Sequence, residues 1–269
     1  MNTAALYCPM SVTLTDNATD EGQACFEIHT PSATYLYQKA AGGFSSLLDP
    51  DGNDWLSFHP HRQPSYPASG ANAYRGLPNL VHSGEDDGVG HPGFEKCETR
   101  QVDETTVESR SLSGRWRYRW TFADDHARLD VLDVPKRPYW FLYEGAPAGR
   151  YAPAEQGWAT PDGVRTDKPD FVLGGEAFGR WRWVAVSDNA SPYTLRITHL
   201  SARGEPGTFS YLGNTEAGLS SPNGMVVLGF GRGEGNSKHL TGRQSFTVSL
   251  CEGDLVEVTT WVERSTNRA

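Results

Sequence analysis

Four of the eight histidines in the 269-residue chain, His59, His61, His82 and His91, fall in the span 59–93. An imidazole gives or takes a proton near neutral pH, so histidines gathered on one segment suit acid–base catalysis. His82 and His91 bracket the acidic run GEDDG, where Glu85, Asp86 or Asp87 could support their protonated forms. Between them and the preceding residues lies AYRGLP, which adds Tyr74 as a possible base and Arg75 as a cation. A metal reading of the same histidines is weaker. Only HPH brings two close together, and its proline restricts both rings. The four cysteines, Cys8, Cys25, Cys97 and Cys251, form no CxxC and read as free thiols rather than zinc ligands.

A second set of groups lies in RPYWFLYEGAPAGR. In an extended strand Tyr139, Phe141 and Tyr143 point one way, and Trp140, Leu142 and Glu144 the other. Trp140 with Glu144 could offer a sugar an apolar platform beside a carboxylate, and Tyr143 is a further candidate contact at the strand end. The competing reading is a buried strand whose Glu meets solvent. Arg75 and Arg232, the latter in GFGRGEG, sit among glycines where backbone can approach a ligand closely. Arginine pairs with carboxylates through two parallel hydrogen bonds, so an acidic sugar fits this pair.

The stretch SLLDPDGNDWLSF crowds Asp49, Asp51, Asn53 and Asp54 around Gly52, as a calcium loop crowds oxygen ligands. Pro50 occupies a spacer position, no Glu closes the loop, and apolar runs flank it, so it reads as a hairpin turned by Gly52 and Asn53. No GxSxG elbow, P-loop or strand–GxGxxG–helix is present, so no nucleotide, nicotinamide or other cofactor is expected.

The elements that must carry these residues are strands. Alternation of period two recurs in CFEIHT (Phe26, Ile28), in RWRYRWTF (Trp116, Tyr118, Trp120, Phe122) and in TLRITHL (Leu195, Ile197, His199). It returns in SFTVSL (Phe246, Val248, Leu250), and VEVTTWV reads as a closing strand. Segments 59–93 and 144–175 lack periodicity and read as ordered functional loops. Many short strands between turn residues define an all-β sandwich or barrel, here one domain over residues 1–269. The formal net charge of −9 argues against a nucleic-acid partner. No apolar run reaches the length of a membrane span, and the amino end shows no signal peptide, so a soluble, cytoplasmic protein is expected unless a leader was removed. Composition leaves the oligomeric state open.

KAAGGFSSLLDPDGNDWLSF resembles the opening of galactose mutarotase-like proteins, and YRGLPNLVH with GHPG is similar to the segment that brings histidines to the sugar there. The resemblance is specific over residues 39–93 and architectural beyond. It implies a single-domain antiparallel β-supersandwich whose concave face binds a sugar or oligosaccharide. In mutarotases a His protonates the ring oxygen and a Glu removes the anomeric proton. His82 or His91 could take the first role, and Glu144 or Glu234 the second. Related domains are β-eliminating lyases, for which Tyr74 or His82 would be the base and Arg75 or Arg232 the neutralising cation. Others bind carbohydrate without turnover.

Overall fold

The computed structural model describes residues 12–60, 75–82, 91–213 and 215–266. Strands β1 (Thr13–Asp20), β2 (Gln23–His29), β3 (Thr34–Gln38), β4 (Gly43–Leu48) and β5 (Gly76–His82) come first. A short helix, α1 (Pro92–Glu95), leads to β6 (Cys97–Asp103), β7 (Thr106–Ser111), β8 (Arg117–Phe122), β9 (Ala127–Asp133) and β10 (Tyr139–Gly145). Then follow β11 (Gln156–Thr160), β12 (Gly163–Arg165), β13 (Ala177–Gly179), β14 (Trp183–Asp188) and β15 (Tyr193–His199). The chain ends with β16 (Gly207–Leu212), β17 (Met225–Phe230), β18 (Arg232–Gly233), β19 (Ser237–Lys238), β20 (Gln244–Glu252) and α2 (Leu255–Thr266).

Two nine-stranded sheets result, ordered β1-β2-β3-β4-β5-β10-β17-β16-β13 and β12-β11-β14-β15-β20-β9-β8-β7-β6. Every pairing between neighbouring strands in them is antiparallel. The β18–β19 ladder is separate. Alternation explains the sandwich: Trp116, Tyr118, Trp120 and Phe122 join the core, while Arg117 and Arg119 face outward to Asp133 and Glu108. Aromatic pairs tie the sheets together, Phe141 on Phe246 at 4.2 Å and Trp158 on Phe209 at 4.3 Å between centroids. Each such pair adds about 1 kcal/mol beyond the area it buries.

Three sequence expectations change. Neither expected loop is one: Gly76–His82 is a fully buried strand inside the first sheet, and 144–175 holds β11 and β12 of the second. A strand covered on both faces shows no alternation, so periodicity passes over it. VEVTTWV belongs to α2, not to a strand. Asp254 starts that helix: its Oδ1 accepts from the Val256 and Glu257 amides, and Glu257 Oε2 accepts from the Asp254 amide. Leu255 and Val258, three apart, then bury against the second sheet, Leu255 with Ala159, Trp183 and Ala185. In the hairpin the bond from Gly52 N to Asp49 O centres the turn on Pro50–Asp51 rather than on Gly52–Asn53, as proline's fixed φ favours.

Cys25 and Cys97 are buried free thiols and Cys251 is a half-buried one; Cys8 lies outside the described residues. Among the described residues no group of three or more His, Cys, Asp or Glu is placed to hold a metal, and no helix is long and apolar enough to cross a membrane.

Candidate functional site

Strand β10 is central in the first sheet and shows both of its faces. Tyr139, Phe141 and Tyr143 enter the core, while Trp140 and Glu144 emerge on the outer face, each half-buried. Neighbouring strands supply the rest by register. Leu142 pairs with Asn79 and Glu144 with Gly76 on β5, which sets Asn79 on the outer face and Arg75 beside Glu144. On the other side Glu144 pairs with Val227. After β17, Gly231 (φ 82°) leads into the short β18–β19 hairpin, which carries Arg232 over the sheet.

The Arg232 guanidinium is buried above two rings, 4.1 Å from the Phe171 centroid and 5.6 Å from that of Trp140. Its Nη2 donates to Glu176 Oε1 at 3.0 Å and its Nε to Asn236 Oδ1 at 3.1 Å. Lys238, paired with Arg232 across β18–β19, places Nζ 4.2 Å from the Trp140 centroid. The Trp140 indole N–H donates to Asn79 Oδ1 at 2.9 Å. With Oδ1 so committed, the Asn79 NH2 is the end left to face Glu144.

Glu144 is the electrostatic centre of this face. Burial pushes its acid range up to about 7, against the opposing pull of the Arg232 and Arg75 charges and of the Asn79 amide. The carboxyl accepts no backbone N–H among the described residues, so desolvation wins. Burial lowers Arg232, with the charges of Glu176 and Glu144 acting against it. Burial first, and then the Arg232 charge, lowers Lys238. A carboxyl near half-ionisation at neutrality, beside an indole and cations, can exchange a proton with a bound polyol.

The structure brings Glu144, Trp140, Arg75 and Arg232 together, and Asn79, Glu176 and Lys238 join them. Arg75 also ties the site's edge to the backbone, donating to Ser57 O at 3.2 Å and to Asn223 O and Gly224 O at 2.9 Å. It lines a neighbouring hollow of about 300 Å³ with His59, Arg150 and Tyr151.

Other candidates lie elsewhere. His82 pairs with Tyr139, so it faces the core, 5.9 Å from the Trp116 ring. It stands three residues from Asn79, an odd separation in a strand, and therefore points to the opposite face. His91 caps α1, its buried ring accepting from Gly93 N at 3.0 Å, with no contact to Glu144 among the described residues. Tyr143 points between the sheets and bonds Trp55 O, which removes it from sugar contact. Glu234 is exposed on the rim of a second hollow, of about 500 Å³, with Phe178 and His239. Tyr74 lies outside the described residues.

No protein-family model matches the sequence, and no curated protein matches it. Solved structures do. A galactose mutarotase-like protein from Lactobacillus casei superposes with a TM-score of 0.55 at 8% identity, over 85% of this chain and 100% of that one. A galactose mutarotase related enzyme from Lactobacillus acidophilus gives 0.55 at 8%, over 86% and 99%. The aldose epimerase homologue from C. elegans gives 0.54 at 9%, over 90% and 100%. The chain therefore has the galactose mutarotase-like fold, an antiparallel β-sandwich. Identities this low speak for the fold alone.

Proposed function

We propose that the protein acts on a sugar by proton transfer at Glu144, in an aldose 1-epimerase type of reaction. The observation that carries this reading is the Glu144 carboxyl, raised to about 7 on a face it shares with Trp140 and two arginines. In such a reaction the carboxylate takes the proton of the anomeric hydroxyl, the bond from C1 to the ring oxygen breaks, and the ring oxygen takes a proton from solvent water, with the proton held by Glu144 returned on re-closure. Rotation of the resulting aldehyde and the reverse steps give the other anomer. The part of Trp140 not covered by Arg232 and Lys238 offers apolar surface to the C–H groups of the ring, and the Asn79 amide favours the ionised carboxyl. The names of the solved structures that share the fold support a sugar as the ligand.

A second reading rests on Arg75 and Arg232, which both act on Glu144. Cations there would stabilise the charge that develops at a uronide carboxylate during β-elimination. One experiment separates the two. Wild type and Glu144→Gln are incubated with neutral and acidic sugars while anomer exchange is followed by NMR and unsaturated uronide by absorbance. Accelerated exchange lost in the variant supports epimerisation, and new absorbance lost in the variant supports elimination. Saturable binding with neither signal overturns both, and leaves a carbohydrate-binding domain without turnover.

A further inference from the structure

We propose that Lys238 and the open end of Arg232, both over the Trp140 ring, form a subsite for an anionic group on the sugar. The inference rests on the reading of this face as a sugar site, and adds to it the chemical class of the ligand.

Two cations, Arg232 and Lys238, meet two carboxyls here, Glu176 and Glu144. The second of these is only part-ionised near neutrality. Lys238 has no carboxylate within ion-pair distance among the described residues; its Nζ reaches only Asn236 O, at 3.4 Å. Arg232 spends Nε on Asn236 and Nη2 on Glu176, while Nη1 has no partner among the described residues. Holding two cations above one indole, partly out of water and with one counter-ion, carries a desolvation cost that an arriving anion would offset. Glu176 shows the mode of recognition, because its carboxylate already sits against one edge of the guanidinium. A ligand carboxylate or phosphate would take the Nη1 edge and the Lys238 ammonium, with the sugar ring continuing along Trp140 toward Glu144. Both sources present the same anionic oxygens.

Binding is measured by calorimetry with glucuronate, glucose 6-phosphate and glucose, on wild type, Lys238→Met and Glu176→Gln. Methionine keeps the apolar contact with Trp140 and removes only the charge. The subsite predicts that at least one acidic sugar binds more tightly than glucose, and that added salt weakens it. Lys238→Met should cut that affinity about tenfold, as loss of one charge-assisted contact would, and should change glucose affinity far less. Glu176→Gln should tighten the acidic sugar several-fold by removing a competing carboxylate. Which acid prefers the site tells carboxylate from phosphate. Equal binding of acidic and neutral sugars by wild type, or an equal loss of both in Lys238→Met, overturns the proposal. Its fate is separate from that of the catalytic reading. Lys238-dependent acid binding without turnover keeps the subsite and removes the enzyme, whereas Glu144-dependent turnover of neutral sugar alone does the reverse.

Discussion

Two acidic side chains in this protein, Asp49 buried and Glu144 half-buried, differ in how many donors meet them. Asp49, at the hairpin, accepts from the amides of Asp51 and Asn53, from Asn53 Nδ2, from Trp55 Nε1 and from Ser191 Oγ. Glu144, on β10, meets one side-chain amide and the fields of two arginines, and no backbone donor among the described residues. The first carboxylate is saturated and holds a turn. The second is under-supplied, so burial governs it and leaves its proton exchangeable. Asp54 shows that donors alone do not decide this, since burial raises it too although it accepts from the Leu47 and Leu56 amides. Glu144 differs in combining few donors with a place on the outer face.

The difference can be broken by substitution. Glu144→Gln should lower turnover by about a thousandfold, in the range general acid–base groups supply, while the fold persists. A steady-state assay alongside thermal unfolding checks both halves. Asp49→Ala should do the opposite. It strands the buried Trp55 N–H and the turn amides, and should cost about 2–3 kcal/mol of stability with activity per folded molecule intact. Denaturant midpoints measure this, and a loss of activity without a loss of stability would merge the two roles.

A pH series sharpens the contrast. Glu144 binds its proton more tightly folded than unfolded, since its range rises from 4.5 to about 7. Its contribution to stability is therefore full below about 4.5 and is lost as pH rises through about 7. Glu144→Gln should flatten that slope, a change of roughly 3 kcal/mol between the two ends. The smallest effect belongs to Asn79→Ala, which removes a group favouring the ionised form. The inflection of the rate profile should move upward by less than about one unit, and an unmoved inflection would detach Asn79 from Glu144.

Part of this was legible in the sequence. The alternation of YWFLYEG separates Trp140 and Glu144 from the core-facing Tyr139 and Phe141, and Arg75 and Arg232 stand out among glycines. Asn79 and Lys238 were passed over. Both sit in short segments, PNL and NSKHL, whose meaning depends on which strands become neighbours, and periodicity within a strand carries no such information. The histidines misled for a related reason. His82 lies at the end of a strand too uniformly buried to announce itself, and its parity turns it inward. Glu176 gained its place only when the segment before β13 was laid beside Arg232.

Strand β10 serves two masters through parity alone: its odd residues build the interior and its even ones the proposed site. Inserting or deleting one residue upstream within it would send the Glu144 carboxyl into the aromatic core and turn Tyr143 outward. Change of length in this segment therefore cannot alter the proposed site without wrecking the sandwich, whereas replacement of Trp140 or Glu144 can. Descendants of this sequence are expected to vary the chemistry of Trp140 and Glu144 by substitution, and to keep the spacing of YWFLYEG fixed even where the two side chains have changed.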